Sequence, residues 1–155
     1  MHPTAQKVFA FLTQAGYRGE IVEHTESTRT AEEAAQAAHC EVAQIVKSLV
    51  FSLQPENSPI LVLVSGSNRV HEKNLGRLLG GKLQRPDAAY VYEVTGFAIG
   101  GIPPIGHKTQ LPTYLDEDLM DHATVWAAAG TPNAVFEIPP ALLQTISNAQ
   151  IICVK

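Results

Sequence analysis

Cysteine is scarce in this chain. Two thiols in 155 residues, Cys40 and Cys153, exclude a disulfide framework and a cysteine-rich zinc finger, and a reducing cytoplasm is the simplest setting for them. Long apolar runs are absent too: none approaches the length of a membrane span. The opening Met1-His2-Pro3-Thr4-Ala5-Gln6-Lys7 lacks the basic-then-apolar layout of a signal peptide. Charge is sparse at 17% of residues, and the net charge of −4 argues against a protein that grips a long nucleic-acid backbone. No Walker loop or dinucleotide fingerprint occurs; Gly76, Gly80 and Gly81 have the wrong spacing.

What is present fits one globular unit. Hydrophobic residues make up 45% of the chain, which argues against disorder. The length suits a single domain spanning residues 1–155. The charge is also unevenly spread. Arg69, Lys73, Arg77, Lys82, Arg85 and Lys108 meet only Glu72, Asp87 and Glu93 between positions 69 and 108, so that segment can touch a few phosphates.

The patterning interleaves helices and strands. A first helix is expected over about residues 3–15, with Pro3 in its first turn, Val8, Phe9 and Leu12 as its apolar stripe and Gly16 as its stop. Thr30-Ala31-Glu32-Glu33 is a capping box that opens an alanine-rich helix. Strands follow at Gln44–Leu53 and Ile60–Val64, the second apolar at every position, as in a strand covered on both faces. Residues 71–79 read as a helix with Leu75, Leu78 and Leu79 inward, and Asp87–Glu93 as another. Short strands are expected near Ile21, Thr113–Leu115, Thr124–Ala127, Ala134–Ile138 and Gln150–Val154, with a helix after Pro139-Pro140. The fold class is therefore α/β in the α+β sense: a mixed, largely antiparallel sheet flanked by helices.

Two features stand out chemically. Gly100-Gly101-Ile102-Pro103-Pro104-Ile105-Gly106-His107 cannot continue a helix or a central strand, so it is a loop of fixed path. Lys47 shares a strand face with Ile45, Leu49 and Phe51, where an ammonium needs an anion or loses its charge. An ammonium beside exposed backbone N–H groups suits a phosphate or a developing oxyanion. Other chemistries find less support. The six histidines form no spaced ligand set with a carboxylate, so no metal is expected. Ser65 follows a strand but lacks the G-x-S-x-G elbow of hydrolases. The same residues can also serve plain structure, with Lys47 snorkelling from a sheet edge and the prolines stiffening a connection.

Three segments, in this order, resemble the YbaK/ProX family, free-standing relatives of the editing domain inserted in bacterial prolyl-tRNA synthetase. They are Ser27–Ala35, the lysine strand Gln44–Phe51, and Thr95–His107, whose Gly100 and Pro104 match the outer members of the family's G-x-x-x-P loop. The resemblance covers nearly the whole chain. It implies a trans-editing hydrolase that deacylates mischarged aminoacyl-tRNA, with tRNA-Pro carrying a small wrong amino acid as the expected substrate. In such enzymes a ribose hydroxyl of the substrate helps activate water, so neither metal nor cofactor is implied. Lys47, Gly100 and Gly101 are the implied catalytic residues; Thr30, Ser48, Ser65, Pro104, Gly106, Gly130 and Thr131 are the implied substrate-binding ones. The 3′ CCA end of the tRNA is the implied partner, with prolyl-tRNA synthetase as a second, no membrane, and a monomer as the resting state.

One departure limits the transfer. Parts of the family carry a Gly-x-His-Pro-like turn, whereas this chain has Gly130-Thr131-Pro132-Asn133, so the amino acid removed is not implied. His107, at the end of the loop, is read as peripheral to the site. A non-catalytic module that holds an aminoacyl-adenosine end in the same cleft is the competing reading.

Overall fold

The computed structural model describes residues 1–155. Helix α1 (Pro3–Gln14) starts where His2 Nδ1 accepts the Thr4 N–H at 3.1 Å, and it buries Ala5, Val8 and Leu12. Phe9 is only partly covered. After strand β1 (Ile21–Glu23), α2 (Ala31–Ala38) opens on the reciprocal Thr30–Glu33 capping box read from the sequence. Strands β2 (Ile45–Gln54) and β3 (Ser58–Ser65) form a long antiparallel hairpin, with Val46 opposite Ser65 and Leu53 opposite Ser58. Then come α3 (Glu72–Leu79), β4 (Lys82–Gln84), α4 (Ala88–Thr95), β5 (Thr113–Asp116), β6 (Val125–Ala128), β7 (Ala134–Ile138), α5 (Pro140–Ser147) and β8 (Gln150–Ile152).

These strands make one mixed sheet in the order β1-β7-β6-β2-β3-β5-β8, with β4 added to β2. Four of the seven pairings are antiparallel and three parallel (β2–β6, β3–β5, β5–β8). The apolar run of β3 is divided between the two faces. Leu61 and Leu63 join the main core with α1, β6 and β7, while Ile60, Val62 and Val64 pack with Leu75 and Leu83 on the other face. A strand covered on both sides has no position for a polar residue.

One expectation is corrected here, and one element is added. Leu78 faces solvent at 62% exposure, because only the Leu75–Leu79 stripe of the short α3 meets the sheet. Strand β4 was not foreseen; it has three residues, and only Leu83 among them is buried.

One irregularity in the sheet sets up the site. On the β2 edge away from β3, β6 pairs only with Ile45 and Val46, and β4 only from Ser52 onward. Between them the edge has no strand partner. Gly66 N–H donates to Ile45 C=O at 2.7 Å, so the odd-numbered residues of β2 bond towards β3. By the alternation of an antiparallel ladder, Ser48 and Val50 turn their backbone N–H and C=O groups into the gap.

Candidate active site

The gap widens into a cleft of about 360 Å³, walled by β2, the approach to α2, the tip of β6 and the start of the glycine-proline loop. Lys47, Ser48, Thr30 and Gly100 all line it. The cation and the loop, about fifty residues apart in sequence, thus share one cavity.

Lys47 is half-buried, and its Nζ donates to the backbone carbonyl of Asn68 at 2.6 Å. Burial pushes its pKa below the ordinary lysine value and the positive charge of Arg69 adds to this, while Glu32 and Asp116 pull the other way. Arg29 is the second cation of the cleft; its side chain crosses Gly100 so closely that an added Cβ would lie 2.9 Å from Nε. No aspartate or glutamate is among the lining residues. Two cations in a largely apolar cavity with no carboxylate make a site for an anionic ligand.

Ser48 projects to the main-core face between Val46 and Val50, and its buried Oγ has no hydrogen-bond partner. A buried hydroxyl left unpaired costs about 1–3 kcal/mol, which a polar group entering the cleft would offset. Together with the unpaired edge of β2, it supplies fixed donors and acceptors at the cavity wall.

The loop is rigid for identifiable reasons. Gly100 (φ +103°) and Gly106 (φ +77°) both adopt left-handed backbone. Gly101 is pressed against the backbone of Thr131: a Cβ would lie 2.7 Å from the Thr131 carbonyl carbon. The Pro103 carbonyl can only accept, so His107 donates to it through Nε2 at 2.6 Å. Burial pushes the His107 pKa down, and its ring packs against Phe97. His107 is therefore a staple of the loop, and it stays off the cleft lining.

The remaining sequence candidates stand behind the cleft or apart from it. Gly101 is buried under the loop, and Thr131, also buried, donates to Asn133 Oδ1 at 3.1 Å. Gly130 (φ +98°) packs on Thr4 of α1. The turn they form is tied to the α2 approach, since the N–H and hydroxyl of Thr28 both donate to Pro132 C=O, at 2.7 and 3.1 Å. None of Gly101, Gly130 and Thr131 lines the cleft, and three further candidates lie apart from it. Ser65 is buried in the sheet, its hydroxyl donating to Ala43 C=O at 2.7 Å. Pro104 and Gly106 border a separate small cavity of about 60 Å³ with Phe11 and His107. Conversely, Arg29, Ile102 and Trp126 line the cleft without having been singled out; a cation in the capping-box approach was the only signal for any of them. No cluster of three or more His, Cys, Asp or Glu side chains is arranged to hold a metal ion.

A family model described as the aminoacyl-tRNA editing domain matches residues 25–146, which span the α2 approach, the lysine strand and the loop. The chain belongs to that family. A solved structure described as a candidate trans-editing enzyme for prolyl-tRNA synthetase is similar over 100% of this chain and 98% of its own, at 48% identity and a TM-score of 0.94. The Enterococcus faecalis protein EbsC, a candidate Cys-tRNA(Pro)/Cys-tRNA(Cys) deacylase, is 28% identical over 81% of this chain and 77% of its own. The proline–tRNA ligase of Lactobacillus helveticus is 28% identical over 70% of this chain, a match that takes up 19% of the ligase. The chain is thus similar both to a solved structure of matching length and to a segment of a proline–tRNA ligase.

Proposed function

We propose that this editing domain is a trans-acting hydrolase that deacylates mischarged aminoacyl-tRNA, with tRNA-Pro bearing a small wrong amino acid as its substrate. The observation that carries the reading is the convergence of Lys47, Arg29 and the Gly100 backbone on one carboxylate-free cleft. The cleft admits the aminoacylated CCA end; the body of the tRNA stays outside, in keeping with the net charge of −4.

In the reaction, water adds to the ester carbonyl and the bond from that carbon to the ribose oxygen breaks. Free amino acid and a tRNA with a restored 3′-terminal hydroxyl are released. Lys47 and Arg29 neutralise phosphate or developing negative charge, and fixed backbone donors at Gly100 and the β2 edge hold the carbonyl. A ribose hydroxyl of the substrate activates the water, as the family resemblance implies, since no carboxylate or histidine lines the cleft to act as base. Gly101, Gly130 and Thr131 shape the wall from behind, and Ser48 meets a polar group of the aminoacyl moiety. Such a second site is needed because a synthetase pocket separates amino acids differing by one methylene by only about 1–3 kcal/mol, and a smaller intruder fits. The domain works as a monomer in the cytoplasm, with prolyl-tRNA synthetase as its source of substrate.

The test is incubation of purified protein with a panel of mischarged tRNAs. Release of free amino acid from one or more of them is expected; saturable binding without release would replace this reading with that of a non-catalytic module.

A further inference from the structure

Asp116 closes β5 and is 0% exposed, a costly place for a carboxylate. All its partners are donors. Oδ2 accepts the Ser65 N–H at 3.0 Å and Asn68 Nδ2 at 2.8 Å, and Oδ1 accepts the Asp118 N–H at 2.9 Å. Asn68 Nδ2 also donates to Asp118 Oδ2 at 2.8 Å, and Lys155 pairs with that same oxygen at 2.9 Å. The Asn68 side chain is thus clamped between two carboxylates, and the Asn68 backbone N–H donates to Ser65 C=O at 2.9 Å. The Asn68 backbone carbonyl points the other way and receives the Lys47 ammonium at 2.6 Å.

We propose that Asn68 and Asp116 are positioning residues for Lys47: the buried carboxylate locks the asparagine side chain, and the Asn68 backbone carbonyl fixes the ammonium at the cleft wall. Neither residue lines the cleft, so neither meets substrate there. A lysine on a four-carbon stem loses its catalytic geometry if its head wanders among rotamers. One of its three donors is used by Asn68, which leaves two for a ligand. The anchor also offsets the repulsion of neighbouring Arg69. An asparagine at position 116 could not replace the carboxylate, because its NH₂ would face at least one of the three donors.

This assignment rests on the deacylase reading, and its test separates the two. Asn68→Ala keeps the peptide carbonyl but removes both clamps, and Lys47→Ala removes the group being positioned. Deacylation should fall about tenfold or more in Asn68→Ala, yet less than about twofold when Asn68→Ala is added to Lys47→Ala, since the anchor then has nothing to hold. An equal fractional loss in both backgrounds would show a merely structural role and overturn the proposal. A second readout needs no activity: the pH titration of the Lys47 ¹³Cε resonance in wild type, Asn68→Ala and Asp116→Asn. The charged groups facing Lys47 are Glu32 from α2, Arg69 beside Asn68, Arg85 after β4, and Asp116. Releasing the clamps that hold the anchoring carbonyl, or removing the Asp116 charge, should move the titration to lower pH, and unchanged titration in both variants would likewise overturn the assignment. If wild type releases no amino acid from any tRNA, the deacylase reading falls while the titration still decides the anchor.

Discussion

Gly101 and Thr131 meet backbone to backbone: a Cβ on Gly101 would stand 2.7 Å from the Thr131 carbonyl carbon and 2.9 Å from its nitrogen and Cα. The glycine-proline loop and the late turn are therefore one wall, held together at a point where only glycine fits. Backbone atoms cannot step aside as a flexible side chain can. Gly101→Ala should destabilise the protein by about 1–3 kcal/mol, the usual cost of overpacking, and lower deacylation by displacing Gly100. Urea unfolding and a deacylation assay check the two effects together.

His107 holds the far end of the same loop through the Pro103 carbonyl. Its folded pKa is depressed by burial, so the unfolded chain binds the proton more readily. The sign follows: stability is fully present above the unfolded value of about 6.5 and is lost as the pH falls from there through the lower folded value. Wild type should lose more stability between pH 7 and pH 5 than His107→Gln, which keeps a donor but does not titrate. Chemical denaturation at the two pH values measures the difference.

Ser48 separates function from stability. Its buried Oγ has no partner in the free protein, so Ser48→Ala should leave unfolding unchanged or stabilise the fold by about 1 kcal/mol. The same variant should deacylate more slowly, because the substrate loses a hydrogen bond. Thermal unfolding set beside single-turnover kinetics checks both halves.

Lys47 carries a pKa lowered by burial and by Arg69. If its charged form acts, deacylation should decline on the alkaline side at a pH below about 10.4, the ordinary lysine value. The measurement is a pH–rate profile corrected for spontaneous ester hydrolysis, with Lys47→Ala lacking that decline.

Much of this was legible in the sequence, for reasons that can be named. The Thr30–Glu33 capping box is a local signature and formed as read. The unbroken apolar run Ile60–Val64 announced a strand covered on both faces, and the two core clusters divide it residue by residue. Lys47 stood out because a cation broke an apolar register. Leu78 misled because an apolar residue on a two-turn helix can lie just outside the buried stripe. Strand order was not legible, so neither was the gap in β2 pairing that makes the cleft. The Asn68–Asp116 clamp joins residues 48 positions apart, and nothing local marks either residue. Ser65, Pro104 and Gly106 were grouped with the site by the family resemblance, yet they lie apart from the cleft, and Gly101, Gly130 and Thr131 stand behind its lining.

The most direct test compares wild type with Lys47→Ala on the mischarged tRNA that wild type cleaves fastest, with circular dichroism to establish that both are folded. Removing a group that stabilises developing charge should slow amino-acid release by roughly 10²-fold or more. Release at the wild-type rate from a folded Lys47→Ala protein would contradict the claim that this cation and the glycine loop form the reactive site.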